Sequence, residues 1–555
     1  MFLFKKTSRG RKYWYFGRNA RVNGVVKRVW EEYAGTTEIL YQKFKASENL
    51  PEVSLKSYSF GRIGAVLAIN EELGFSDLVD SVVPKMKKDD VLSAGEYMLA
   101  FIMGRMDFPV SKNGMQDWFD HSYLRYLWSF DHSLSCQNFL NQMNYLTDES
   151  MKEITKGLCK RLGSLGHRTN NILFDTTNFS TEMNPKDDNG KTLARKGNAK
   201  DKKFGNNLIG TAIAVTDENI PIPMGTYPGN WNDHTVIDDM IDDIIHRVEE
   251  IGSEPKNIAL VVDKGCISEN IVKRLKDKMH ILGSLKRGDC QDLMRIPISE
   301  YTLLYTNNEE NDIFGYRTTK KKYRRNFTVV VEFNEASRRK QQRDYEKAKQ
   351  RFLDEAEKIK ASLSTPHRRG RKPTNESIRN RLSDVIHKKW RTVFKFHVGT
   401  TLDKKLDVNA WIVKGKEEEF MRGFGKTVIF TDNMKMSSED VVRTYKSLWK
   451  IEEDFKFLKD CLLISVTPIY HQKDLPIKVH VFLCVIGLLF YRYMLWRLKD
   501  ENISLPQLVY ALERIRIGVM VSKNNMKVRH VVEEMDAIEA KLFSAFSMDQ
   551  YLLRT

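Results

Sequence analysis

Cysteine is scarce: the 555 residues hold six, at positions 136, 159, 266, 290, 461 and 484, with no CxxC pair. That spacing argues against a zinc ribbon and a disulfide framework and suits a reducing cytosol. A secretory leader is also missing, because Met1–Arg11 is short and basic without an apolar core. No apolar run reaches the roughly 20 residues of a membrane span. The most apolar stretch, Val479–Trp496, contains His480 and Arg492 and reads as a buried helix. There is no internal repeat and no GxSxG elbow. The GFGKT string at Gly423–Thr427 has Phe420 where a phosphate loop needs its first glycine, and it precedes a strand, which argues against ATP binding there. His480 and Cys484, four apart on an apolar helix, read as core residues rather than zinc ligands. The expectation is a soluble cytoplasmic chain with no membrane partner.

What the sequence has in excess is positive charge. Lys and Arg number 90 against 73 acids, a formal +17. Such a surplus favours polyanionic partners, most simply nucleic acid. The length allows several domains.

Taken in order, residues 1–56 read as a basic β-hairpin module, with Asn23-Gly24 as the turn between β-rich runs. A packing hairpin and a DNA-contacting arm, using Arg18, Arg21, Lys27 and Arg28, both fit. Residues 57–168 carry apolar residues at helical spacing, interrupted at Pro109. At 169–289 the texture changes to strand. NILFDTTNFS places Asp175 on an apolar run, two β-rich runs follow as a meander, and a helix near Thr235–Ile251 leads to NIALVVD, which ends at Asp263. CISENIVKRLKDK then reads as a helix and HILGSLK as a strand. This order of elements is that of an RNase H-like core, an α/β fold. Residues 290–425 interrupt it with β-rich pieces and with SRRKQQRDYEKAKQRFLDEAEKIKASL, polar nearly all round and read as solvated helix. The basic cluster HRRGRK follows. The core resumes over 426–499, and 500–555 reads as a C-terminal helical region.

The segment Val441–Lys459, VVRTYKSLWKIEEDFKFLK, carries helix-opening signals before it: Ser437-Ser438, then Glu439 and Asp440. On one continuous helix, Tyr445, Glu452 and Lys459 stack within about 40°, with Trp449 and Lys456 on the same stripe. Leu448, Ile451, Phe455 and Leu458 would face a core. An ordinary surface pair between Glu452 and Lys456 fits the same pattern. Phosphodiester cleavage needs relief of charge on the attacking and leaving oxygens, which two divalent cations about 3.5–4 Å apart can supply. Mg²⁺ asks for hard oxygen ligands and only a few carboxylates. Asp175, Asp263 and Glu452 are the candidate catalytic and metal-holding acids.

The spacing Tyr445, Leu448, Glu452, Lys459 resembles the YxxRxxxExxxxxxK signature of DDE transposases from bacterial insertion sequences, with leucine in place of arginine. ILFDTTNFS, LVVDKGCISEN, YPGNWNDHT and FTDN extend the resemblance over about residues 95–495. It implies an RNase H-like catalytic core with a β-rich and helical insertion, preceded by a helical DNA-binding domain that recognises transposon ends. It also implies two Mg²⁺ ions, with Mn²⁺ able to substitute, and excision and strand transfer through terminal inverted repeats, by way of a hairpin. The substrate would be double-stranded DNA, transposon ends and target, bound by a homodimer near the bacterial nucleoid. Tyr445, Lys456 and Lys459 are then the DNA-binding residues, Leu448 being buried. For Trp390 and Trp411 two readings fit, stacking on a displaced base and packing in the insertion's own core. Two other readings stand: an RNase H-like nuclease without strand transfer, and an inactive, domesticated DNA-binding protein.

Overall fold

The computed structural model describes residues 2–8, 10–22, 25–48, 53–84, 92–130, 133–181, 193–200, 206–364, 373–401, 405–522 and 527–553. The Asn23-Gly24 turn, residues 191–192 and 201–205 of the basic loop KTLARKGNAKDKKFG, and the HRRGRK cluster lie outside them. The chain forms two compact units.

The smaller unit comprises Met1–Gly64, Asp120–Trp128 and Ala511–Thr555. Strands β1 (Phe2–Ser8), β2 (Arg11–Val22) and β3 (Val25–Gly35) make an antiparallel meander, so the expected hairpin of β2 and β3 carries a further strand. Strand β4 (Val53–Ser59) also belongs to this unit.

The larger unit comprises Ala65–Phe119 and Ser129–Tyr510. Its first part is helical. Ser93 opens the helix Ala94–Asp107 with a capping box to Glu96, which satisfies two otherwise free N–H groups. The mixed sheet that follows is built on β5 (Asn171–Thr181), which opens on the consecutive apolar residues Ile172, Leu173 and Phe174 and is nearly all buried. The short β6 (Arg195–Lys196) and β7 (Asn207–Thr216) follow, and β5, β7 and β8 (Pro221–Pro228) form an antiparallel meander. After the helix Asp233–Ile251 comes β9 (Ala259–Val262), parallel to β5, and then β10 (His280–Ser284), parallel to β9. The spatial order is therefore β8-β7-β5-β9-β10. β9 is apolar and buried at all four positions, as a parallel strand between two layers requires.

The insertion divides in two. Strands β11 (Thr302–Thr306), β12 (Asp312–Lys322) and β13 (Arg325–Asn334) continue the same sheet, joined to β10 through β16 (Lys426–Thr431). Phe327, Val329, Val331 and Phe333 enter the core shared with β5 and β9. The remainder has its own core: Tyr345, Phe352, Ala356 and Ile359 of the helix Glu335–Ser364 pack with Ile378, Leu382, Trp390 and Phe394. The hairpin β14 (Phe394–Thr400) and β15 (Leu406–Ile412) completes it. The long polar helix is thus not wholly solvated. Four apolar side chains at helical spacing form a stripe too narrow to stand out against its charge.

The helix Asp474–Arg497 is long and apolar enough to cross a membrane by length and composition, yet 83% of its apolar window is buried within the protein. It packs against β8 and the helix Ala94–Asp107. His480 and Cys484 are core residues, with His480 Nε2 2.8 Å from the Val466 carbonyl.

The C-terminal region, expected to be helical, contains β17 (Arg516–Ser522) and β18 (Val528–Val532) as well as helices. β17 lies between β4 and β18 in the smaller unit. Its RIGVMVS sequence is rich in β-branched and apolar residues, and pairing with a strand more than 450 positions away overrides the helical character of its flanks.

Candidate active site

Asp175 projects from the middle of β5, and Asp263 follows the last residue of β9. The parallel pairing ends with Phe174 opposite Val262, so the two aspartates stand side by side on neighbouring strands. Burial pushes the Asp175 carboxyl up to about 6; Lys200 opposes the rise, while Asp233 and Asp263 add to it. A buried carboxylate crowded by other acids is an electrostatic setting in which an added cation is stabilising.

Three neighbours organise this pair. The Thr176 hydroxyl donates to Asp233 Oδ1 at 2.7 Å, and Lys200 Nζ lies 3.6 Å from the same oxygen. Lys200 also donates to the Thr176 carbonyl and hydroxyl. The Tyr445 hydroxyl donates its one proton to Asp263 Oδ1 at 3.3 Å and lies 2.8 Å from Ser284 Oγ. Burial, with Asp263 contributing, raises the phenol to about 12, so it remains a donor at neutral pH.

The segment bearing Glu452 differs from the continuous helix expected. Ser437 caps a helix over Ser438–Lys446, accepting from the Asp440 N–H at 3.0 Å, as the serine and early acids foretold. Ser447 and Leu448 then form a turn, closed by Lys450 N–H to Ser447 O at 2.9 Å, and a second helix runs over Trp449–Phe457. The helix is thus interrupted at two residues that both keep right-handed helical dihedrals, and Tyr445 and Glu452 lie on successive helices rather than on one. The first helix packs on the sheet around β9, β10, β13 and β16, and the second on β5 and β7. Leu448 is half-buried rather than buried, because it stands at the junction.

On the second helix Ile451, Asp454 and Phe455 face inward, while Trp449, Glu452 and Lys456 are exposed. Lys459, beyond the helix end, donates to Thr177 Oγ1 at 2.8 Å. The structure thus brings Asp175, Asp263 and Tyr445 together and sets Lys459 against β5. Glu452 and Lys456 stay on the exposed side of a helix above the same strand. Among the described residues, no group of three His, Cys, Asp or Glu side chains is close enough to hold a metal ion. The donors present are nonetheless carboxylate oxygens, the kind that suits Mg²⁺.

Sequence reasoning gave no role to Asp233, Lys200 or Ser284. Asp233 lies in YPGNWNDHT, part of the resemblance, and its acidic position at the start of a helix was the available signal. Lys200 lay unremarked in the basic loop. Trp390 packs in the insertion core at 4% exposure, whereas Trp411 on β15 is 46% exposed. Of the two candidate stacking residues only Trp411 offers a face to solvent.

The larger unit thus carries a mixed sheet with two adjacent aspartates on neighbouring parallel strands, Asp175 within β5 and Asp263 just past β9. Residues 167–468 match the transposase DDE domain family. That is more than half of the chain, which belongs to this family. No curated protein matches it. Family membership makes the chain a transposase-type enzyme acting on DNA, and the family normally uses divalent metal ions.

Proposed function

We propose that the protein excises an insertion sequence at its terminal inverted repeats and joins it to target DNA, in a Mg²⁺-dependent reaction that passes through a hairpin on the transposon end. The observation that carries this reading is the Asp175–Asp263 pair on adjacent parallel strands within the β8-β7-β5-β9-β10 order, the arrangement of an RNase H-like core. Glu452 supplies the third carboxylate, and a homodimer holds the two ends. When bound, the two ions supply the Lewis acidity that in-line phosphoryl transfer needs.

The protein's own residues do the remaining work. Asp175 and Asp263 hold the cations. Tyr445 keeps Asp263 oriented through its hydroxyl, with Ser284 fixing the phenol. Lys200, beside Asp175, offsets acidic charge at the site. Lys456 and Lys459 bind the phosphates of the transposon end.

Alanine at Asp175, Asp263 or Glu452 is expected to abolish Mg²⁺-dependent cleavage of the element's ends while end binding persists. Near-normal cleavage by any one variant removes that residue from the site. A joining assay with pre-cut ends separates a transposase from a nuclease that only cuts.

A further inference from the structure

Away from the aspartate pair, the larger unit holds a second concentration of positive charge, and this one is buried. Arg105, near the end of the helix Ala94–Asp107, is 4% exposed; Lys112, in the turn that follows Pro109, is 8% exposed. Lys112 Nζ lies 2.7 Å from His471 Nε2 and 4.7 Å from the centre of the Phe101 ring. Arg105 uses one nitrogen, Nη1, on the Val110 carbonyl at 3.3 Å. Its Nε and Nη2 have no nitrogen or oxygen partner, although the Cys484 thiol stands close enough to interact with the guanidinium, and Nδ1 of His480 has no partner either. Arg105 bears electrostatically on both Lys112 and His480.

Buried cations are ordinarily paired, because an uncompensated charge out of water is costly. Here no carboxylate among the described residues pairs with Arg105 or Lys112. Burial, with Arg105 contributing, depresses the Lys112 ammonium to about 8, and burial with Lys112 depresses His471 to about 3. Nε and Nη2 of Arg105 are neighbours on one edge of the guanidinium. They form the fork that grips two oxygens of one oxyanion in parallel.

We propose that Arg105, Lys112 and His471 form a binding site for a phosphate oxyanion, occupied during the reaction by a phosphodiester of the DNA. The guanidinium fork and the ammonium together carry more charge than one carboxylate would neutralise, and the chain's +17 favours a polyanion. The site also adjoins the helix that carries Glu452. His480 Nε2 donates to the Val466 carbonyl at 2.8 Å, and the Val466 N–H donates to the Leu458 carbonyl at 2.9 Å, next to Lys459. A phosphate held here would thus be coupled to the segment from which Lys459 reaches β5. The choice of DNA as occupant rests on the function proposed above; the oxyanion chemistry does not.

The test has two arms on the full-length chain. In the first, melting temperature is followed in sodium phosphate against sodium chloride at matched ionic strength. The parent should gain about 2 °C at phosphate well above its dissociation constant. Arg105→Met and Lys112→Met should lose that gain while melting no lower than the parent in chloride, and Lys112→Arg should keep it. In the second arm, the salt dependence of binding to a DNA duplex is measured. Arg105→Met should reduce the slope of log K against log salt by about 1, the value of one phosphate contact. A phosphate response with an unchanged slope assigns the site to free phosphate, and a changed slope alone assigns it to DNA. Absence of both overturns the proposal. The first arm contains no DNA, so failure of the transposition reading leaves it readable.

Discussion

Replacing Arg492 by methionine tests what holds the Glu452 helix against the rest of the protein. Arg492 is 5% exposed within the Asp474–Arg497 helix. Its Nε donates to Asp454 Oδ1 and its Nη2 to Glu453 Oε2, each at 2.7 Å. Asp454 is fully buried, and its Oδ2 has no partner. Burial raises its carboxyl to about 6 even though Arg492 opposes the shift. Removing the arginine leaves an unpaired buried carboxylate, which costs about 3–5 kcal/mol. The pH dependence follows from the direction of the shift. A carboxyl raised in the folded state from its unfolded value of 3.8 binds its proton more tightly when folded. Its contribution to stability is present below that value and is lost as pH rises through about 6. Without Arg492 the folded value rises further, so the variant should lose most at about pH 8 and much less at about pH 5. Urea denaturation at both pH values, on Arg492→Met and on Asp454→Leu/Arg492→Met, measures this. The double variant should recover most of the stability. An equal loss at the two pH values, or a double variant no better than the single, refutes the reasoning.

Four further outcomes are expected. Trp390→Ala should destabilise the insertion by about 3–5 kcal/mol in a thermal or urea melt, since the ring is buried against Tyr345, Phe394 and Phe420. Trp411→Ala should leave melting unchanged, and if the ring stacks on a displaced base it should weaken binding of a hairpin substrate by about 1–3 kcal/mol. Tyr445→Phe should fold normally but reduce end cleavage, because Asp263 loses its hydroxyl partner; unchanged cleavage would make the contact incidental. Binding to duplex DNA should weaken by orders of magnitude between roughly 50 and 200 mM salt, and a flat response would assign the +17 charge to solubility instead.

The order of strands around Asp175 and Asp263 was legible because each is an apolar run ending in turn residues, and buried strands need that texture whatever surrounds them. The buried Asp474–Arg497 helix was legible for the same reason. Pairing across the sheet was not. Nothing local announces that β13 and β16 join β10, so the insertion looked separate where half of it extends the central sheet. The break at Ser447–Leu448 was equally hidden: neither residue is a helix breaker, and the 100° rule assumes the continuity it was used to infer. The ion pair of Glu453 with Arg492, 39 positions along the chain, was hidden in the same way, and it means that Glu453→Ala disturbs the helix that carries Glu452.

The broken helix changes how the third acid is to be understood. On a continuous helix, Tyr445 and Glu452 would move as one body and address the same ligand. In the observed arrangement the first helix sits over β9 and β10, and its Tyr445 is committed to Asp263 and Ser284. The second is fixed over β5 and β7 by Asp454 on Arg492 and by Lys450, which donates to the Asp217 carbonyl at 2.6 Å; Lys459, just beyond its end, donates to Thr177. Its exposed ridge, Trp449, Glu452 and Lys456, shares one helix face at spacings of three and four and is used by none of these contacts. A ridge of aromatic, acid and lysine, held from behind by buried charge, suits DNA and metal arriving together from solvent. On this arrangement Tyr445 belongs to the aspartate pair, and the DNA contacts proposed above are assigned to the second helix and to Lys459.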